Sequence, residues 1–268
     1  MSLDFSGYLL QAVPDVYPVL LTLGSWRLYA YDAMLVAAFL AAIELGNRRC
    51  RQRGLPMPVV YRGEILLFLS GYFGSQLLEL GMAWRGGYPG WLGDVLVGSD
   101  AKAFYSGFLA AFATCWLYCL VMGLPFPMCA AIAAPSIALG QAIGRLGCLL
   151  AGCCYGGPST LPWAVAFPLT APDSLARHPT QLYEAGLCLL LFAVLTWYYA
   201  REFRPTGGVI ALYSYGYGFS RFGLELLRDD PRGPVFFGMF SVSQVIALVV
   251  ISLALPAHLW LLWRRRAP

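Results

Sequence analysis

Long apolar runs recur through this chain of 268 residues, and polar and charged residues collect in the short stretches between them. A helix of about 20 residues crosses a hydrocarbon layer about 30 Å thick, because each helical residue rises about 1.5 Å. Seven runs are long enough, at about 28–46, 62–83, 104–122, 128–150, 181–200, 208–227 and 239–263. The pattern therefore predicts an all-α integral membrane protein with about seven transmembrane helices in a single polytopic domain, residues 1–268.

The composition agrees with this prediction. Hydrophobic residues make up 59% of the chain and charged residues only 12%, whereas soluble domains carry about 25% charged residues. The net charge of +4 is small, and most of the arginines stand in short clusters between apolar runs. Such clusters are typical of topology signals and contacts with anionic lipid. We therefore expect the protein to interact with a membrane and not to bind nucleic acid.

Arginine clusters predict the orientation of the chain. They follow the first run, follow the fifth run and close the sequence: Arg48, Arg49, Arg51 and Arg53; Arg201 and Arg204; Arg264 to Arg266. With seven crossings all three clusters lie on one side, which the positive-inside rule makes cytoplasmic. The N-terminus and an extracytoplasmic loop region at 151–180 are then outside, and the C-terminus is cytoplasmic. Residues 1–18 lack a basic start and a clear cleavage site, so no removable signal peptide is expected.

Several charged residues fall within the predicted spans: Arg145, Glu184, Arg221, Glu225 and Arg228. Charges at membrane depth are costly, so they usually pair or line a polar cavity and mark candidate sites. Helical spacing puts Arg221, Glu225 and Arg228 on one face of the sixth span, with Tyr217 on the same stripe. The alternative interpretation is an internal ion-pair network that only fixes the register of the helices.

The stretch from Gly144 to Gly156 combines Arg145 with several glycines near the predicted outer membrane face. Exposed backbone amides beside a guanidinium can bind a phosphate or another oxyanion. Most glycines of the fourth and sixth spans are nevertheless expected to serve helix packing.

Three blocks resemble the prolipoprotein diacylglyceryl transferase family, and they occur in the family's order. The first is the Gly144 to Gly156 stretch, in which Arg145 falls on the arginine of the family's Gly-Arg-x-Gly-Asn signature. The other two are Arg177-His178-Pro179-Thr180-Gln181-Leu182-Tyr183-Glu184 and Tyr217-Gly218-x-x-Arg221-Phe222-x-x-Glu225-x-x-Arg228.

The resemblance implies a multi-pass enzyme of the bacterial inner (cytoplasmic) membrane that needs no cofactor. It would move a diacylglyceryl group from phosphatidylglycerol to the cysteine thiol of a prolipoprotein signal peptide, or to another acceptor. Arg145 and Arg221 would neutralise the phosphate, and Glu184 or Glu225 would hold these arginines. The remaining predicted substrate-binding residues are Gly144, Tyr155, Gln181, Tyr183, Tyr217 and Arg228.

The chain also departs from the family pattern. Tyr105 stands where the family has a histidine, and Cys148 replaces the signature asparagine. A phenol is a poor base at neutral pH, so His178 is the substitute base candidate beside Tyr105. Two alternatives stay open: a divergent paralogue that uses another acceptor, and a protein that binds or transports phospholipid without catalysis.

Three cysteines, Cys148, Cys153 and Cys154, follow Arg145 with the spacing C-x4-C-C. This spacing is not a recognised zinc pattern, and no metal site is predicted from it. A disulfide is favoured over a metal, and packing by small soft side chains is the default interpretation.

Overall fold

The computed structural model describes residues 19–23, 26–84, 101–168, 170–201, 207–229, 235–236 and 239–266. Within these residues the chain forms seven helices. They are α1 (Ala30–Gln52), α2 (Met57–Trp84), α3 (Ala101–Val121), α4 (Phe126–Leu150), α5 (Thr180–Arg201), α6 (Gly207–Glu225) and α7 (Val242–Arg266). Each helix coincides with one predicted apolar run, and the prediction of a mainly helical chain is confirmed.

Three short antiparallel hairpins, which the sequence did not predict, accompany the helices. Strand β1 (Val19–Leu23) pairs with β2 (Trp26–Tyr29), β3 (Val165–Ala166) with β4 (Ala176–Arg177), and β5 (Val235–Phe236) with β6 (Phe240–Ser241). Backbone N–H and C=O groups outside the helices also need hydrogen-bond partners. The short antiparallel strand pairs supply some of them. Apolar periodicity alone does not reveal strands of two residues.

Helix α4 lies at the centre of the bundle and packs against α1, α5 and α6, while α6 also packs against α7. Its buried face includes Ala131, Ala134 and Ala138, at helical spacings of three and four, which cluster with Leu191, Leu195 and Val209. Alanines on one stripe let neighbouring helices approach closely. Helices α2 and α3 form a hairpin that packs mainly within itself.

Glycines make several of these close approaches, as the sequence predicted. A Cβ on Gly107 of α3 would lie 2.7 Å from the carbonyl oxygen of Gly71 in α2, and one on Gly218 of α6 would lie 2.7 Å from Ile251 in α7. Gly144 and Gly223 differ, because a Cβ there would meet no atom of the described residues within 4 Å. Packing therefore does not account for those two glycines.

Among the described residues, the helices α1, α4 and α5 are long and apolar enough to cross a membrane. Shorter apolar helical stretches occur in α3 (Ser106–Val121) and α7 (Val242–Pro256). Large apolar side chains point outward from several helices, including Leu109, Leu120, Leu190 and Leu253. Such surfaces suit contact with lipid acyl chains.

Candidate active site

Two guanidinium groups from different helices meet at one buried carboxylate, Glu184 in the second turn of α5. Nη2 of Arg145, near the end of α4, lies 2.9 Å from Oε1 of Glu184. Nη1 of Arg221, in α6, lies 3.4 Å from Oε2 of the same carboxylate. Only 4% of the Glu184 side chain is exposed. The packing of α4, α5 and α6 therefore brings together three residues that are well separated in sequence.

Arg221 has two further partners at this end of the bundle. Its Nη2 lies 3.2 Å from Oε2 of Glu225, one helical turn later in α6, and donates a hydrogen bond of 3.0 Å to Oγ of Ser243 in α7. The two arginines and two glutamates carry no net charge together. Buried charges are tolerated only when they are paired in this way. Ser243 is a member of the cluster that the sequence did not identify.

Tyr217 lies beside this cluster on α6 and is half-buried. Its ring stacks on that of Tyr213 at a centroid distance of 5.8 Å, and the Tyr213 hydroxyl donates a hydrogen bond of 3.0 Å to Oε1 of Gln141. The predicted stripe of Tyr217, Arg221 and Glu225 thus continues as a polar column between α4 and α6. Gly144 precedes Arg145, with open space where a side chain would be.

Residues 151–179, described except for residue 169, connect α4 to α5, and several of them contact the start of α5 and the chain just beyond α6. Tyr155, predicted to bind substrate, stacks on Phe167 at 5.5 Å and donates a hydrogen bond of 3.1 Å to the carbonyl of Thr170. The guanidinium of Arg177 lies over the Tyr155 ring, 5.2 Å from its centroid. These contacts of Tyr155 hold the connecting segment together.

Arg177 is the most important residue that the site prediction missed. It is buried, and its guanidinium lies 2.9 Å from a carboxylate oxygen of both Asp173 and Asp229. Burial alone would lower the pKa of this guanidinium, but the hydrogen bonds from Arg177 to the two aspartates outweigh burial and raise it. Arg177 therefore stays cationic and joins the connecting segment to the chain just beyond α6. Its position in the second family block was the available signal.

Backbone hydrogen bonds join the same segments. The amide of Gly156 donates to the carbonyl of His178 at 2.9 Å, and the amide of Gly157 donates to the carbonyl of Leu227 at 2.9 Å. A Cβ on Gly156 would lie 2.6 Å from the Leu227 oxygen. Only glycine fits there without a shift of the backbone. Arg228, another predicted substrate-binding residue, pairs with Gly156 in a short antiparallel bridge.

His178 and Tyr183 form a second polar group at the start of α5. Nδ1 of His178 lies 3.3 Å from the hydroxyl of Tyr183, which also accepts a hydrogen bond of 2.7 Å from Nε1 of Trp163. In the described part of the chain, the polar partner of the His178 ring is therefore Tyr183 and neither arginine. Tyr105 lies in α3, but its side chain falls outside what the structure describes.

The N-terminal turn of α5 also holds the segment that follows α4. Oγ1 of Thr180 donates a hydrogen bond of 2.5 Å to the carbonyl of Cys154, and Nε2 of Gln181 donates one of 2.7 Å to the carbonyl of Cys153. Gln181 is 1% exposed. It was predicted to bind a headgroup, and its described contact is with this backbone.

The three cysteines after Arg145 come together. The Sγ atoms of Cys148, Cys153 and Cys154 lie within 4.8 Å of one another, the one such group among the described residues that could hold a metal ion. All three are free thiols, so the predicted disulfide alternative is wrong for this structure. Hydrogen bonds from Cys148 and Cys153, and the nearby charges of Arg228 and Arg145, hold the pKa of the Cys154 thiol well below its ordinary value.

Comparison with known proteins identifies the family to which the sequence is similar. The family model described as prolipoprotein diacylglyceryl transferase matches residues 18–260. A Clostridium tetani protein named phosphatidylglycerol–prolipoprotein diacylglyceryl transferase is 34% identical over 242 residues, covering 89% of this chain and 95% of the relative. A protein of the same name from Nitratidesulfovibrio vulgaris is 32% identical over 275 residues, covering 95% and 96%. One from Bordetella avium is 32% identical over 255 residues, covering 88% and 90%. The resemblance inferred from the three blocks is confirmed.

Proposed function

The chain belongs to the prolipoprotein diacylglyceryl transferase family, and from this premise we propose that it transfers the diacylglyceryl group of phosphatidylglycerol to a prolipoprotein cysteine thiol. The names of the relatives supply the donor and the acceptor. The observation that carries the proposal within the structure is the meeting of Arg145 and Arg221 at Glu184.

The two guanidinium groups would bind the phosphate that leaves. Each guanidinium has five N–H donors, and Glu184 engages one nitrogen of each. The remaining donors suit the oxygens of a phosphate, which guanidinium groups bind in a bidentate manner. As the carbon–oxygen bond breaks, charge collects on the phosphate, and fixed positive charges stabilise such a transition state strongly in a low dielectric.

Glu184 and Glu225 would act as positioning residues that hold the arginines before substrate arrives. Without them, two cations would lie close together in a largely buried place, where like charges repel. Gly144 leaves open space beside Arg145, which would admit the headgroup. Tyr217 would line the same space, and Arg228 would extend its positive charge towards the connecting segment.

His178 remains the candidate for the base that takes the acceptor proton, with Tyr105 as the other candidate. The contact of His178 with the Tyr183 hydroxyl would orient the imidazole and fix its tautomer. Gln181, Tyr183 and Tyr155 would then shape the place where the acceptor peptide meets the lipid, through the connecting segment that they hold.

We further propose that α1 to α7 are seven membrane crossings in the bacterial inner membrane. The N-terminus and residues 151–180 would be outside, and the C-terminus would be cytoplasmic. The positions of Arg48 to Arg53 and of Arg264 to Arg266 support this orientation, since basic clusters stay in the cytoplasm. Cysteine scanning with an impermeant thiol reagent, applied to intact cells at introduced sites in 158–175, tests it. Labelling only after lysis would contradict the proposed orientation.

Incubation of the purified full-length chain with labelled phosphatidylglycerol and a lipobox peptide tests the reaction. We expect a thioether-linked diacylglyceryl peptide and one released glycerol phosphate for each product. A peptide with serine in place of its cysteine is the matched control and should stay unmodified. Bound phosphatidylglycerol with no product, together with failure to rescue cells depleted of their own transferase, would contradict the proposal.

A further inference from the structure

The chain makes a tight turn after α4, and this turn brings three thiols close together. Cys148 lies in the last turn of α4, and the chain then passes through Gly152 and Cys154 with φ angles of +64° and +69°. A positive φ at a residue other than glycine is strained and persists only where the surroundings impose it. Here the surroundings are Thr180 and Gln181, which bind the carbonyls of Cys154 and Cys153.

Three sulfur atoms within 4.8 Å of one another are close to the arrangement around a single ion. Zinc–thiolate bonds are about 2.3 Å long, which places sulfurs about 4 Å apart around one ion. The three side chains would need to close by less than about 1 Å to share it. Thiolates select soft cations such as Zn²⁺ and Cu⁺, and free thiols on a turn that two side chains hold are suitable ligands.

The surroundings of the thiols are polar, and one buried polar atom there has no partner. Oε1 of Gln181 is buried and accepts no hydrogen bond from the described residues, although Nε2 of the same amide is bonded to Cys153. A buried acceptor that has no protein hydrogen bond often has a water or an ion as its partner. A water or a protonated ligand on a cation at the thiols would supply that hydrogen bond.

The thiols also adjoin the arginine cluster. Arg145 precedes Cys148 by one turn of α4, and Gln181 precedes Glu184 by one turn of α5. Arg145 is close enough to Cys148 and Cys154 to interact with them electrostatically. A position above the three sulfurs is therefore next to the place where the proposed phosphate binds.

We propose that Cys148, Cys153 and Cys154 bind a zinc-class thiophilic cation whose open fourth position takes the thiol of the acceptor peptide. This proposal rests on the proposed function. Three protein ligands with one open position are the pattern of catalytic zinc sites, and a thiol that coordinates zinc loses its proton. The cation would thus favour the thiolate form of the acceptor, and His178, the base candidate, would take up the proton that leaves.

The step balances without any change of oxidation state. The acceptor thiol would release its proton to His178 or to water on binding the cation, and its sulfur would then attack the glycerol carbon of the lipid. A carbon–sulfur bond forms, the carbon–oxygen bond to phosphate breaks, and the electron pair stays on the phosphate oxygen. Glycerol phosphate leaves against Arg145 and Arg221, and the thioether, which binds the cation weakly, leaves the open position.

Metal analysis of the full-length chain in nanodiscs, after equilibration with Zn²⁺ and dialysis, tests the site. We expect about one ion per chain, and almost none after Cys148→Ser, Cys153→Ser and Cys154→Ser together. The matched control replaces Cys115, Cys119 and Cys129 by serine, because these are also free thiols but are not among the groups that could hold a metal ion in the described part of the chain. Zinc that is absent from the wild type, or unchanged in the triple serine variant, overturns the proposal.

A cobalt experiment tests the open position without measuring transfer, and single variants such as Cys154→Ala serve if the triple variant fails to fold. We expect sulfur-to-cobalt absorption that shifts when a cysteine lipobox peptide is added and not when its serine counterpart is added. No shift with the cysteine peptide overturns the role of the fourth position. A shift without transfer from phosphatidylglycerol supports the site while the proposed function fails, so the two failures are distinguishable.

Discussion

The two ends of α5 both hold arginines from other helices, but with different partners. Near its start, Glu184 receives Arg145 and Arg221. Near its end, Oγ1 of Thr196 accepts a hydrogen bond of 3.0 Å from buried Arg49, and the Tyr199 hydroxyl accepts one of 3.0 Å from Arg53. Twelve residues separate Glu184 from Thr196, which is about 18 Å along a helix.

The difference between the ends lies in their carboxylates. At the first end, two buried glutamates balance two arginines, so the cluster is charge-paired and a phosphate can exchange with a carboxylate. At the second end, Arg49 and Arg53 lie over the Tyr199 ring at 5.3 and 5.0 Å, and Nη1 of Arg49 is buried without a partner among the described residues. We infer that the first end is built for chemistry and the second for anchoring.

Removing an arginine from the first end should have the largest effect. We expect Arg145→Ala and Arg221→Ala each to lower kcat for diacylglyceryl transfer by about 10² to 10³, as loss of one donor to a developing anion typically does. Arg53→Ala at the second end is the control and should leave kcat within about twofold, since Arg53 bonds to Tyr199 near the opposite end of α5 from Glu184. Equal losses at both ends would mean that the arginines serve only the fold.

Neutralising the shared carboxylate should mainly lower stability. Glu184→Gln leaves two guanidinium groups without their common partner, and breaking a buried ion pair costs about 3 kcal/mol. Denaturant-induced unfolding in detergent, followed by tryptophan fluorescence, measures this cost. At the second end, Thr196→Val removes one neutral acceptor and should cost only about 1 kcal/mol. A similar cost for the two variants would remove the distinction between the ends.

At the first end, the backbone of the connecting segment closely approaches the backbone of Leu227, which follows α6. Gly156→Ala would place a Cβ 2.6 Å from the Leu227 oxygen, so the connecting segment must shift, and we expect a loss of about 1 to 2 kcal/mol in stability. Gly186→Ala in α5 is the matched control, because a Cβ there would meet none of the residues that the structure describes within 4 Å. The control should be neutral or slightly stabilising, measured by thermal unfolding.

The smallest effect should come from the exposed ion pairs beside the second end. Arg48 lies 2.6 Å from Glu44, and both side chains are more than half exposed. Arg48→Gln should therefore change the free energy of unfolding by less than about 0.5 kcal/mol, in the same denaturant titration. A larger loss would show that exposed ion pairs also stabilise the second end, and it would weaken the contrast with the buried ion pairs of Glu184.

Much of this protein was predictable from its sequence. The apolar runs gave the seven helices to within a few residues, because hydrophobic periodicity is a local property of the chain. The spacing of Arg221 and Glu225 predicted their contact, since residues four apart share a helix face. The motif blocks predicted the family. The sequence analysis did not predict the hairpins or the contacts of Arg177 and Ser243, because two-residue strands and single contacts leave no periodic pattern.

Only the tertiary structure decided which residues meet. Glu184 is 37 residues from Arg221, and nothing local reveals that both reach the same place. That meeting depends on the alanines and glycines that let α4, α5 and α6 approach. The convergence of Cys148, Cys153 and Cys154 depends in turn on two residues with positive φ and on the hold of Thr180 and Gln181. Sequence spacing gave no reason to expect a shared ion, and only the fold brings the three thiols within 4.8 Å of one another.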